Sequence, residues 1–274
     1  MDYDPIKDRL IRGFEGSTTG HRVFFWILHR VFLRSWYVRR ALRRHLSGTD
    51  AHVLDAGTGF GQYTDWMLRR FERVRVTSVD IKRDYLDRLG SYLNRTGLSD
   101  RAAVRYGDLV KLEETGPYDL VLSVDVMEHI EEDETVFAHF ARVLRPGGVL
   151  IVNTPSDQGG SGVTEEGEES FIGEHVRDGY GVAEITDKLQ RAGFDKVHTE
   201  FGYGFWGSLA WRLLVQVPMR LLSTSMVLVV LLPLWYLPAL PLGLLLNAID
   251  LKVQNSTGTG LTVTAVRVQG GKVA

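Results

Sequence analysis

Val53-Leu54-Asp55-Ala56-Gly57-Thr58-Gly59-Phe60-Gly61 is the stretch whose reading decides the fold. Its apolar start, His52–Ala56, reads as a buried strand, and the glycines that follow let the chain turn sharply and come close to a ligand at the next helix start. Downstream, Gln62–Phe71 carries Tyr63, Trp66, Met67 and Phe71 at helical spacing, and Val74–Val79 is short and β-branched. Asp84–Arg95 sets Leu86, Leu89 and Leu93 on one side of a helix, and Ala103–Tyr106, Tyr118–Val124 and Val149–Asn153 read as further strands. Glu134–Leu144 is a helix stopped by Arg145-Pro146-Gly147-Gly148, and Gly181–Ala192 is another, closed by Gly193. Asp195–Tyr203 and Leu261–Val268 read as the last two strands. Strands alternating with helices of this length predict parallel β-α-β units in a doubly wound α/β sheet.

Around this core the composition is ordinary only on average. The chain has 274 residues, a formal net charge of −2 and 44% hydrophobic residues, which excludes wholesale disorder. It has no cysteine, which excludes disulfide scaffolds, thiolate nucleophiles and Cys-ligated metal centres. From Gly16 to Thr49 there are seven arginines (Arg22, Arg30, Arg34, Arg39, Arg40, Arg43, Arg44) and no acid. From Pro146 to Val176 there are six acids and neither Lys nor Arg, and from Leu221 to Ile249 there are 29 residues without a charge. The start, Met1-Asp2-Tyr3-Asp4-Pro5, lacks the basic-then-apolar order of a secretory signal, so a cytoplasmic protein is expected.

The glycine loop is not a dinucleotide fingerprint, because Gln62 stands where G-x-G-x-x-G needs its third glycine. Asp55 would repel a pyrophosphate but suits a ligand bearing an ammonium and a sulfonium. Asp80 ends the second strand, where a carboxylate accepts ribose hydroxyls, and Asp108 follows the third. With Ser78-Val79-Asp80, Gly107-Asp108, Tyr118–Ser123 and Leu144–Gly148 at their spacing, the chain resembles the class I S-adenosylmethionine-dependent methyltransferases; within them, Asp125-Val126-Met127-Glu128-His129 resembles the Asp/Glu-x-x-Glu-His of the ubiquinone and menaquinone methyltransferase group and of small-RNA 2′-O-methyltransferases. The resemblance implies a mostly parallel seven-stranded Rossmann-like sheet whose last strand runs antiparallel between the fifth and sixth. It implies S-adenosylmethionine as cofactor, held by Asp55, Gly57, Thr58, Gly59, Gly61, Asp80, Ile81, Asp108, Leu109 and Asp125: the loop on the methionine part, Asp80 on the ribose, Asp108 on the adenine.

Strand four ends in Ser123-Val124-Asp125-Val126-Met127-Glu128-His129, at the edge where this fold opens its ligand crevice. His129 or His175 is the candidate base for a hydroxyl acceptor, with Asp125 after them. In some relatives of this pattern the acids and histidines bind a divalent metal, so Asp125, Glu128, His129 and His175 form an alternative mixed oxygen–nitrogen site; a metal-free site is the preferred reading. The acidic, glycine-rich Ser156–Ser170 is either a substrate gate or a solvated loop, and its charge disfavours nucleic acid as acceptor.

Three units are expected: a basic, aromatic leader over 1–50, the catalytic sheet over 51–204 with 259–270, and an apolar insertion over 205–258. If the last two strands pair in one sheet, the insertion must leave and return on one side, which excludes a single membrane crossing. Pro233, Pro238 and Pro241 are expected to interrupt it, giving a shallow re-entrant hairpin with Trp235 and Tyr236 among the prolines. Two crossings would need residues 209–220 to extend the first limb. The arginine-rich leader has the composition of a helix lying on an anionic inner leaflet. Together these predict methyl transfer to a lipophilic acceptor (quinone, isoprenoid or lipid) at the cytoplasmic face of a membrane. The competing readings are a soluble methyltransferase whose insertion caps the pocket or makes a homodimer, and a membrane-bound scaffold that binds the cofactor without catalysis.

Overall fold

The structure is a computed structural model that describes residues 17–159, 176–224 and 226–269. Two helices come first, α1 (Thr18–Val31) and α2 (Leu33–Leu46). The alternating core follows: β1 (His52–Ala56), α3 (Gln62–Arg70), β2 (Arg75–Asp80), α4 (Arg83–Arg95), β3 (Ala102–Tyr106), β4 (Tyr118–Val124), α5 (Asp133–Val143), β5 (Leu144–Pro155), α6 (Val182–Arg191) and β6 (Phe194–Gly202). Then come α7 (Phe205–Trp211), a π-helical stretch Arg212–Gln216, α8 (Val217–Thr224), α9 (Leu232–Lys252) and β7 (Gly260–Arg267).

The seven strands lie in the order β3-β2-β1-β4-β5-β7-β6. β1 to β5 pair in parallel, as the strand–helix alternation predicts, and β7 runs antiparallel to both β5 and β6, as the resemblance implies. The central strands are buried on both faces, which is why they read as continuous apolar runs. One core layer joins α5 and α6 to the sheet through Phe137, Phe140, Ile185 and Leu189; the other joins α2, α3 and α4 through Leu42, Met67 and Tyr92.

The leader packs into this second layer. Val38, Ala41, Leu42 and Leu46 of α2 are buried. Its arginines turn to protein partners in place of lipid: Arg40 and Arg44, one turn apart, both pair with Glu200, and Arg39 and Arg43 lie over the Trp66 ring. On α1 the outward side keeps Arg22, Val23, Trp26, Ile27 and Arg30 exposed.

The insertion is a helical hairpin. Since β7 is antiparallel to β6 and β5, Gly202, Gly260 and Pro155 stand in register, and the hairpin leaves and returns at the carboxyl edge of the parallel strands. Its limbs are antiparallel: the Gly207 amide donates to Asp250 Oδ2 at 2.9 Å, and Gly243 lies against Leu214.

The prolines do not interrupt it. Pro233 sits in the first turn of α9, where its missing N–H costs nothing, and Pro238 and Pro241 lie inside a helix that continues through them. Trp235 and Tyr236 point across to the other limb. Pro218 withdraws the N–H that would serve the Leu214 carbonyl, and the Tyr236 hydroxyl donates to that carbonyl at 2.7 Å. Beside it Trp235 Nε1 donates to the Leu213 carbonyl at 3.0 Å, within the π-helical stretch.

Candidate active site

Parallel strands end together, so β1, β2, β4 and β5 deliver their last residues to one crevice. At the end of β1, the amides of Gly57 (2.8 Å) and Thr58 (3.1 Å) both donate to the Val79 carbonyl. Gly57 has φ +77°, and a Cβ there would stand 2.3 Å from Val126 Cγ2, so any side chain would push the loop off the β4 end. Gly59 is different: φ is +53° and no atom lies within 4 Å of where its Cβ would be. Its glycine leaves open room above the loop, the kind of cradle a ligand can enter.

Asp55 is 2% exposed. Its Oδ2 accepts from Thr64 (2.7 Å) and Thr58 (2.8 Å), and Thr64 lies 2.7 Å from Ser78 Oγ. Burial pushes its carboxyl up to about 6, although the two threonine hydrogen bonds favour the charged form. In this structure Asp55 braces the loop from beneath. Asp80 holds the loop from the side, accepting the Gly59 amide (2.8 Å) on one oxygen and the Lys82 amide (2.9 Å) on the other. Asp108 caps the turn Leu109–Lys111 by accepting the Val110 amide at 2.9 Å; Leu109 is buried and Ile81 is exposed beside the Asp80 end. Loop, Asp80 and Asp108 thus lie together at the carboxyl ends of β1, β2 and β3.

At the end of β4, Asp125 takes a left-handed φ of +52° and its amide donates to the Asn153 carbonyl at 2.8 Å. Its Oδ2 meets Arg34 Nη1 at 2.7 Å. Burial alone would lower the Arg34 pKa, but Asp125, with Tyr63, Tyr203 and Glu128, outweighs it and keeps the guanidinium firmly charged. Glu128 is 1% exposed and accepts from Thr154 Oγ1 at 3.1 Å. Burial first, and the neighbouring Asp125 charge second, hold its carboxyl well above the usual range. His129 is half-buried, its amide donating to the Val126 carbonyl at 3.0 Å.

The acids of the alternative metal site therefore diverge: Asp125 turns to Arg34 and Glu128 to Thr154. Among the described residues no group of three or more His, Asp or Glu could hold a metal ion. His175, proposed as a base and as the fourth ligand, lies outside the described residues, as does most of the acidic loop. The chain re-enters at Val176, whose amide donates to the Glu128 carbonyl at 3.0 Å. Arg177, Tyr180 (2.6 Å) and Lys188 (2.7 Å) then all donate to Asp133 Oδ2, tying the far end of the acidic loop to α5.

A helix over residues 22–46 covering the cofactor is one reading the sequence allows, but the sequence does not mark Arg34 as the partner of Asp125 or show which aromatics lie on the glycine loop. From α1, Phe24 packs edge-on against Phe60 of the loop, and His21 stacks on Tyr92 at 5.2 Å; His29 Nε2 lies 3.2 Å from the Gln62 carbonyl. The available signal was the helical spacing of His21, Phe25 and His29 along one side of α1.

Residues 53–148 match the family described as "Methyltransferase domain". The chain is 30% identical over 165 residues to a probable S-adenosylmethionine-dependent methyltransferase of Mycolicibacterium smegmatis, covering 60% of this chain and 59% of that protein. It is 27% identical over 135 residues to a ubiquinone biosynthesis O-methyltransferase of Rickettsia bellii, covering 47% of this chain and 53% of that protein. In fold it is similar to Haemonchus contortus phosphoethanolamine N-methyltransferase 2 in complex with S-adenosyl-L-methionine, with a TM-score of 0.62 at 19% identity over 97% of this chain and 61% of that one. The chain thus spans less than two thirds of each of these proteins. Strand order, glycine loop and family match agree on a class I S-adenosylmethionine-dependent methyltransferase domain built around residues 53–148.

Proposed function

We propose that the protein transfers the methyl group of S-adenosylmethionine to a lipophilic acceptor (a quinone, another isoprenoid or a lipid) at the cytoplasmic face of a membrane. The observation that carries this reading is the place of the hairpin: an apolar arm, without a charge from Leu221 to Ile249, rooted at the same sheet edge as the cofactor crevice. Among the described residues Val229–Lys252 is one helix long and apolar enough to cross a membrane by length and composition. α9 is apolar on two opposite sides. Ala239, Gly243 and Leu246 are buried, while Leu234 (71% exposed), Leu237 (75%), Leu242 and Leu245 face outward with nothing over them. A helix apolar all round belongs in a core or in lipid.

The internal bonds support the same environment. Carbonyls freed by proline on a wetted helix are served by water, whereas in lipid they must be served by protein, as Tyr236 and Trp235 serve Leu214 and Leu213 here. Beyond Leu214 the first limb runs ~11 residues, or ~16 Å, about half of a ~30 Å hydrocarbon core. That favours insertion into one leaflet over two crossings. Arg22 and Arg30, flanking Trp26 on the outer side of α1, suit the anionic headgroup layer, Arg30 lying 5.0 Å from the Trp26 ring centroid.

When bound, the cofactor supplies a methyl carbon activated by its sulfonium. The chain's own part is positioning: the Gly57–Gly61 loop takes the methionine portion, and Asp80 and Asp108 the ribose and adenine. For a hydroxyl acceptor His129 or His175 takes the proton, Asp125 being engaged by Arg34 in this structure.

Calorimetry with S-adenosylmethionine and flotation with vesicles of phosphatidylglycerol and phosphatidylcholine test the two halves separately. Saturable cofactor binding and flotation that is lost when residues 219–246 are deleted are expected. No binding would refute the enzyme, and no flotation would refute the membrane and leave a soluble methyltransferase with the hairpin as a dimer contact or cap.

A further inference from the structure

The elbow between α1 and α2 joins the root of the hairpin to the end of β4. α1 stops at Val31, whose carbonyl accepts from Asn247 Nδ2 of α9 at 3.4 Å. Phe32 is extended, and Leu33 then fills the space that a side chain on Gly207 would need. The Arg34 amide donates to the Tyr203 hydroxyl at 3.2 Å, Ser35 Oγ lies 3.1 Å from the Tyr63 hydroxyl, and Tyr37 donates to Asp250 Oδ1 at 2.8 Å. Between the hairpin root on one side and α3 on the other, the elbow is held along its length.

From this fixed base Arg34 reaches Asp125. The Arg34 Nε is buried without a hydrogen-bond partner, and its guanidinium lies over the Phe32 ring at 4.8 Å. A buried donor left unmade is unfavourable, so an arginine serving only to pack α2 on the sheet would be better replaced by an apolar residue. Asp125 needs such a partner. Its left-handed backbone is strained for a non-glycine residue and is pinned by Asn153, which leaves the direction of the carboxylate to whatever meets it.

We propose that Arg34 is a positioning residue that holds the Asp125 carboxylate in the orientation it needs at the cofactor crevice. This rests on the reading of that crevice as the S-adenosylmethionine site.

The test is calorimetry of S-adenosylmethionine with the full chain carrying Arg34→Ala, Arg34→Gln, Arg34→Lys, Asp125→Asn or the Arg34→Ala/Asp125→Asn pair. Circular dichroism and Tm accompany each variant, and Arg34→Gln serves if the alanine variant fails to fold. Loss of the partner and loss of the carboxylate are each expected to raise Kd about tenfold, and the pair no further than either alone, because both act through one contact. Arg34→Lys, which keeps the charge, is expected to recover Kd to within about threefold of wild type. Arg44→Ala, on the same helix but facing Glu200, should leave Kd unchanged. The proposal is overturned if the neutral Arg34 variants bind like wild type, if Arg34→Lys binds no better than Arg34→Gln, if Asp125→Asn alone is silent, or if the two effects add. Failure of wild type to bind the cofactor would defeat the methyltransferase reading itself, and this inference with it.

Discussion

The glycine loop and the apolar hairpin both break regular backbone, and they handle the consequences in opposite ways. In the loop, amides that no helix could use are turned onto fixed acceptors, the Val79 carbonyl and Asp80, while Gly59 is left facing open space. In the hairpin, the carbonyls loosened by Pro218 and the π-helical stretch are closed off from within by Tyr236 and Trp235, and what faces outward is leucine. One region keeps room for a polar ligand, and the other turns the carbonyls at its proline and π-helical break inward, while Arg212 and Arg220 stay exposed on its first limb. On the proposed reading, this contrast is what would bring the methyltransferase sheet to a lipid surface.

The largest expected effect breaks the outer side of the contrast. Leu234→Lys with Leu237→Lys puts two charges on the uncovered side of α9; at about 2.5–3.5 kcal/mol for each lysine at mid-membrane, vesicle flotation should fall more than about 100-fold. Cofactor affinity should not change, and flotation that survives would mean the surface meets something other than lipid. Next, Gly57→Val forces a side chain into Val126 and should weaken S-adenosylmethionine binding by about 100-fold or more. Gly59→Ala should lose binding while its stability cost stays at about 1–2 kcal/mol, that of a left-handed backbone, since the protein itself leaves that space empty. A large Tm loss at Gly59 with binding intact would reverse the roles assigned to the two glycines.

Asp55 gives a pH-dependent test. Its folded pKa of about 6 lies above the ordinary carboxylate value of 3.8, so the fold favours the protonated form. The corresponding stability, about 3 kcal/mol, is fully present below about pH 4 and is lost as pH rises through about 6. In urea unfolding from about pH 4 to about pH 7, Asp55→Asn should therefore gain about 2–3 kcal/mol relative to wild type. A difference between the two that does not vary with pH would contradict the burial of a charge beneath the loop. The smallest expected effect is Tyr236→Phe, which strips the Leu214 carbonyl of its donor and should cost about 1–3 kcal/mol in detergent unfolding. No cost would mean that water reaches that carbonyl and the hairpin is wet.

Most of the sheet was legible because its signals are local: a strand, a turn and a helix each announce themselves within about a dozen residues. Even the antiparallel β7 followed once the resemblance was clear. Asp55, Gly57, Gly59, Asp80 and Asp108 could be gathered from their positions at strand ends, since parallel strands carry their carboxyl ends to one edge. What could not be read were contacts between distant segments. Arg34 and Asp125 are separated by most of the amino-terminal half of the sheet, and an arginine in a basic leader carries no mark of its partner. Arg40 and Arg44 looked free because the acid they serve, Glu200, lies on β6. The apolar positions between them, Val38, Ala41, Leu42 and Leu46, already held the helical period of a core-facing side. The prolines of α9 misled for a related reason. A proline removes one donor and adds one clash, but whether the helix breaks depends on what packs beside it, and here α7 and the π-helical stretch pack along α9, which continues through its prolines.

The central claim, methyl transfer to a lipophilic acceptor at a membrane, is most directly tested by incubating the detergent-purified protein, with its copurifying lipids, in methyl-labelled S-adenosylmethionine and extracting with chloroform. The expected result is label in the organic phase with the wild type and none with Gly57→Val, followed by mass spectrometry of the labelled species. Label confined to water-soluble products, or no transfer by a protein that binds the cofactor normally, would contradict it.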